Sequence, residues 1–93
     1  MLLWDTTPII DLIDEISAWE SQMSAAINWD DLSPEKKEAL TKARMDLLSK
    51  ISMAEFQAED GRVGHYVDIQ GIINKLRHAQ DFYNATVKQI KLS

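Results

Sequence analysis

Cysteine is absent from the 93 residues, glycine occurs three times and proline twice. Without thiols there is no disulfide frame, no thiolate nucleophile and no thiolate metal site, and the chain suits a reducing compartment. Gly61, Gly64 and Gly71 are spaced wrongly for a phosphate-cradling loop. The apolar runs fall far short of a membrane span, and Met1-Leu2-Leu3-Trp4 runs straight into Asp5. A soluble, unprocessed protein with no membrane partner is therefore expected. Positive charge is missing from the first third. Residues Met1 to Glu35 hold eight acids and no Lys or Arg, so that segment carries −8 and the remainder +3. Phosphate repulsion disfavours nucleic-acid binding there, whereas a basic protein partner is permitted, as is a surface past which DNA slides without sticking. The plainer reading is a solvated helix face.

A chain of this length makes one small domain, 1–93, with a modest core that a partner or self-association would supplement. Residues 1–7 form an N-terminal arm. Thr7-Pro8 then marks a helix start, with Thr7 as N-cap and Pro8 at the first helical position, and the helix is expected over 8–27. Ile9, Leu12, Ile13, Ile16, Trp19, Met23, Ala26 and Ile27 recur at three- and four-residue spacing, an apolar stripe about five turns long. Ser33-Pro34 repeats the start signal for a second helix over 34–50, with Leu40, Ala43, Leu47, Leu48 and Ile51 as its stripe. Asp68 caps a third, over 69–91, in which Ile69, Ile72, Ile73, Leu76, Ala79, Tyr83, Val87 and Ile90 keep helical spacing.

Between the second and third helices, Asp60-Gly61 suits the positive φ angles of a two-residue type I′ turn. A β-hairpin over 53–67 follows from it. Ala54, Phe56 and Ala58 would share one face with Val63, His65 and Val67, and Glu55, Gln57, Glu59, Arg62 and Tyr66 would take the other. The competing reading continues the second helix to Asp60 and ends it at Gly61, because Ala, Glu, Met and Gln are good helix formers. The fold class expected is thus α+β, mainly helical, an N-terminal helix plus a helix-hairpin-helix unit, with an all-α three-helix bundle as the alternative.

Chemistry-bearing constellations are few. Asp11, Asp14 and Glu15 sit opposite or beside the first apolar stripe with no histidine or second carboxylate helix to complete a metal or acid–base site. His65 and His78 are the only imidazoles, and neither stands in a nucleophile pattern. No catalytic residue, metal or cofactor is expected, and the protein is not expected to be an enzyme. Trp4, with Leu2 and Leu3, lies ahead of the first cap without a helix partner, which makes the arm a contact for another subunit.

One resemblance is carried by Ala43-Arg44-Met45-Asp46-Leu47-Leu48 at the end of a helix, Asp60-Gly61-Arg62 at a hairpin tip, and a helix from Ile69 through Leu76-Arg77 to Asp81-Phe82-Tyr83. Over about the last 55 residues this order resembles the gpW-like head-tail joining proteins of tailed bacteriophages, although Ser49-Lys50-Ile51-Ser52 stands where such proteins often carry a glycine, and the acidic first helix is extra. The resemblance implies a structural virion protein at the head-tail junction, made in the host cytoplasm. It would be a head-completion or adaptor subunit forming a homo-oligomeric ring on the portal protein and meeting the next neck or tail protein. On that reading Leu2, Leu3, Trp4, Glu59, Asp60 and Arg62 make the contacts, and Asp11, Asp14 and Glu15 face a channel through which DNA passes without sequence-specific binding. The alternative function is a small acidic helical inhibitor or antitoxin-like protein that binds one basic protein target.

Overall fold

A computed structural model describes residues 5–92 and is all-α: helix α1 spans Thr7–Ala26, helix α2 Pro34–Arg62 and helix α3 Ile69–Leu92, with a single 3-10 turn at Trp29–Asp31. There is no strand among the described residues, and the arrangement is consistent with a three-helix bundle. The hairpin over 53–67, and with it the α+β class, is therefore corrected. From Ser52 to Arg62 there is no Val, Ile or Thr, so nothing favours a pleated strand, while the good helix formers extend α2 by three more turns. Burial decides the matter. Ile51, Ala54, Ala58 and Gly61 are all buried and prolong the row begun by Leu40, Ala43 and Leu47, whereas Phe56, which a strand would place beside Ala54 and Ala58, is 73% exposed.

The terminus of α2 explains why the turn signal at Asp60-Gly61 misleads. Gly61 lies inside the helix, and it is Gly64 that takes the left-handed conformation, with φ 96°. The Gly64 N–H donates to the Gly61 carbonyl (3.1 Å) and the His65 N–H to the Asp60 carbonyl (3.0 Å), the paired bonds of a Schellman ending with Gly64 at C′. Two glycines three residues apart were available, and only the second breaks the helix. Glu59, Asp60 and Arg62 are thus exposed residues of the last helical turns and not a hairpin tip.

The other boundaries follow ordinary capping. Ser33 is extended (φ −64°, ψ 157°) and its hydroxyl accepts from the Lys36 N–H at 3.3 Å, with Pro34 opening α2. Asp68 accepts the Gly71 N–H at 3.1 Å, and a Cβ on Gly71 would collide with that carboxylate, so the glycine makes room for the cap. At α1 the N-cap is Thr6 and not Thr7, and its side chain makes no capping bond; the Thr7 N–H is instead taken by Asp5 at 3.1 Å. Thr7, through its side chain first and this N–H second, holds the Asp5 carboxyl below the usual carboxylate range. A depressed carboxylate adds its stabilisation at pH values above its unfolded-state pKa and loses it as pH falls through the folded value.

Short connections run the helices up, down and up. Ile10 and Ile13 near the start of α1 share a groove with Ala58 and Arg62 near the end of α2, and at the opposite end Ala26 and Ile27 share a hollow with Leu40, Val87 and Ile90. One cluster runs along the axis: Ile9, Leu12, Ile13 and Ile16 from α1, the α2 row, and Ile72, Leu76, Ala79, Tyr83 and Val87 from α3, with Val67 of the connection. The bundle is a rod, 54 × 18 × 16 Å, with a radius of gyration of 15.4 Å, against about 12 Å for a compact domain of this length. A rod this thin buries only one stripe per helix.

If α2 ends on Gly64, then Gly64→Ala should cost about 1 kcal/mol, the penalty of a left-handed alanine. Gly61→Ala should cost less, as read from urea denaturation midpoints. A type I′ turn at Asp60-Gly61 would reverse that order.

Candidate functional site

The most constrained polar group in the bundle is Glu20, a carboxylate on the apolar stripe of α1 that is only 5% exposed. A buried anion needs partners, and three helices supply them. Arg44 of α2 donates through Nε to Glu20 Oε1 at 2.5 Å, and the Ser24 hydroxyl donates to the same oxygen at 2.7 Å. Because Ser24 has spent its only proton on Glu20, the 3.0 Å contact between Ser24 Oγ and Tyr83 OH has the tyrosine of α3 as donor. The chain of donors therefore runs from Tyr83 through Ser24 to Glu20, with Arg44 closing it from the other side. Trp19 meets the Tyr83 ring edge-on with centroids 5.5 Å apart, and the Trp29 indole donates to the Ser24 carbonyl at 3.1 Å, closing the end of α1. No buried side-chain nitrogen or oxygen among the described residues lacks a partner. The hydrogen bond to Glu20 holds the Arg44 guanidinium above its ordinary pKa, against a smaller opposing effect of desolvation. This knot is architectural: it holds α1, α2 and α3 at one axial register and presents no reacting group to a ligand.

The residues that the sequence singles out are spread over the surface. Asp11, Asp14 and Glu15 are all exposed on α1. Only Glu15 has an ion pair among the described residues, to Arg77 of α3 at 2.9 Å. Arg62 pairs with Glu59 one turn back at 3.5 Å, both exposed. Leu2, Leu3 and Trp4 lie outside the described residues. His65 follows α2 and His78 sits in mid-α3, both exposed and on different elements. No group of three His, Asp or Glu that could hold a metal ion occurs among the described residues. No helix among them is long and apolar enough to cross a membrane.

What the fold does bring together is a groove of about 450 Å³ between α1 and α2. Its lining is Ile10, Ile13, Asp14 and Ser17 on one bank and Glu55, Ala58, Glu59 and Arg62 on the other. Ile10 is 41% exposed there. This site exists because residues 53–62 are helical: helical spacing brings Ala58 onto the same face as Glu55, Glu59 and Arg62 beside α1, where strand alternation would put Ala58 on the opposite face from the glutamates. Sequence reasoning had two signals for these features and used neither. Glu20 falls in step with Ile9, Ile13, Ile16 and Met23, a carboxylate in an apolar register, and Phe56 falls out of step with Ala54 and Ala58. Comparison with known protein families, with curated proteins and with solved structures returns no match to this chain.

Two substitutions read the knot. Arg44→Ala should destabilise the bundle by about 2 kcal/mol, below the 3–5 kcal/mol of a fully buried pair because the Arg44 side chain is 40% exposed. Tyr83→Phe should cost about 1 kcal/mol, one lost hydrogen bond. Equilibrium denaturation checks both.

Proposed function

We propose that this chain is a non-enzymatic, acidic helical binding protein that holds one basic protein target, of the inhibitor or antitoxin-like kind. The observation that carries the reading is the distribution of charge in the folded bundle. Of the acids on α1, Glu20 and Glu15 are satisfied by Arg44 and Arg77, while Asp11 and Asp14 stand exposed without an ion pair among the described residues, and Asp14 faces Glu55 and Glu59 across the groove. Negative potential concentrated on one side steers a basic partner and repels nucleic acid, and it acts on encounter rate more than on final affinity.

The head-tail adaptor reading drew its support from a helix-hairpin-helix order, and the hairpin segment is helix, so the tip contacts at Glu59, Asp60 and Arg62 lose the geometry that motivated them. A channel lined by Asp11, Asp14 and Glu15 would have one of its three acids already occupied by Arg77. Both points favour the binder.

The test is capture from the producing cells with tagged wild-type chain and with Asp11→Lys/Asp14→Lys, followed by mass spectrometry and native mass measurement. One basic protein in a small stoichiometric complex is expected. The double variant should fold as the wild type does, since both positions are exposed, and should associate at least tenfold more slowly at low salt, the difference shrinking as salt is added. Many-copy rings that contain a portal-sized protein would overturn this reading in favour of the adaptor.

A further inference from the structure

We infer that the groove between α1 and α2 is the docking site for a basic amphipathic helix, which enters it as a fourth helix of the bundle. The inference rests on the reading of the protein as a binder of a basic target and names the place and the shape of the contact. The floor is apolar, formed by Ile10, Ile13 and Ala58, and both banks carry carboxylates: Asp14 on α1, Glu55 and Glu59 on α2. The lone cation of the lining, Arg62, pairs with Glu59, which leaves Asp14 on one bank and Glu55 on the other as the carboxylates without an ion pair among the described residues. Ile10 to Ser17 and Glu55 to Arg62 each cover about 10 Å of helix axis at 1.5 Å per residue, so the groove grips roughly two turns of a third rod laid alongside. A helix fits such a furrow between two antiparallel helices because its apolar ridge seats between theirs at ordinary interaxial distance. Lysine or arginine flanking that ridge on both sides would meet a carboxylate on each bank while the aliphatic stems cover Ile10. Charge complementarity thus selects the sign of the partner, and the two-bank layout selects a helix with cations on both flanks. Phe56, exposed on α2, lines a separate hollow with Ser52, Glu55 and Glu59 and is not among the residues of the groove.

The experiment is a titration of the full-length chain with a synthetic helix of leucine and lysine about 18 residues long, enough to be helical when bound, followed by amide chemical shifts and anisotropy. Two comparators are run beside it: the same residues scrambled to abolish amphipathicity, and the amphipathic sequence with Glu for Lys. The amphipathic basic peptide is expected to bind at least tenfold more tightly than either, shifting the amides of Ile10, Ser17, Glu55 and Ala58. Ile10→Ser and Glu55→Gln/Glu59→Gln should each weaken it at least tenfold with helical content unchanged, and Phe56→Ser should leave it unchanged. Equal binding of the scrambled peptide, no binding to wild type, or loss of binding in Phe56→Ser but not in Ile10→Ser would each overturn the proposal. A concentration-dependent dimer abolished by Ile10→Ser would assign the groove to a second copy. Shifts at Ile10 and Ala58 on deleting residues 1–4, in a full chain that ignores the peptide, would assign it to the chain's own arm. Peptide binding that depends on the groove residues upholds the site even where cells yield no basic protein, a result that fails only the functional reading. A cellular basic target captured equally by wild type and Glu55→Gln/Glu59→Gln fails the site alone.

Discussion

The bundle depends on α2 keeping one unbroken buried row, from Leu40 through Ala43, Leu47, Ile51, Ala54 and Ala58 to Gly61. Both neighbours lie against this helix, α3 most extensively and α1 across its other flank. The row changes character along its length. Leu40, Leu47 and Ile51 fill the volume where α1 ends and α3 runs alongside, and the small residues Ala54, Ala58 and Gly61 line the half nearest the start of α1. If α2 stopped at Lys50, the first two turns of α1 would keep only α3 beside them, and Ile10 and Ile13 would lose the α2 wall they share with Ala58. At roughly 25 cal/mol per Å² of apolar area, that loss would outweigh anything a short exposed hairpin could return.

A rod held together by stripes of leucine, isoleucine and alanine has a weakness: such stripes can slide by a turn at little cost. The knot around Glu20 removes that freedom. Shifting α1 by one turn would carry Glu20 and Ser24, which sit on the same helix, away from Arg44 and Tyr83 together and leave a buried charge unpaired, an error of several kcal/mol. An apolar residue at position 20 could pack as well and stabilise as much, so the contribution of the network lies in register more than in net free energy. Tyr83 serves both purposes, its ring fully buried against Trp19 and its hydroxyl feeding the chain of donors.

The same distinction separates the acids that maintain the structure from those available to a partner. Glu20 and Glu15 are tied to cations on other helices, whereas Asp14 and Glu55 stand on opposite banks of the furrow and Glu59 beside them is paired within α2 to Arg62. Net charge alone would not tell these apart, because it sums a buried internal pair with an exposed face. The fold pairs Glu15 and Glu20 with cations of the other helices and leaves Asp14 at the groove opposite Glu55.

Helix periodicity, the caps at Ser33 and Asp68 and the inward faces of α1 and α3 were legible in the residues themselves, whereas the α1 cap fell one residue earlier than Thr7. Three- and four-residue spacing and a Ser-Pro start are local signals, and local backbone sterics are enough to read them. The extent of α2 was not legible: Asp60-Gly61 satisfies a turn and Met53 to Asp60 satisfies a helix, and two local preferences of similar size cannot arbitrate between themselves. Tertiary burial of Ala54, Ala58 and Gly61 decided it, with Gly64 supplying the left-handed residue that the ending required. The partnership of Glu20 with Arg44 and Tyr83, separated by 24 and 63 positions in the chain, and the meeting of Asp14 with Glu55 and Glu59, also lay beyond the sequence alone. Contacts between distant residues depend on how whole helices are laid against one another, and that is set by the packing of all their stripes together.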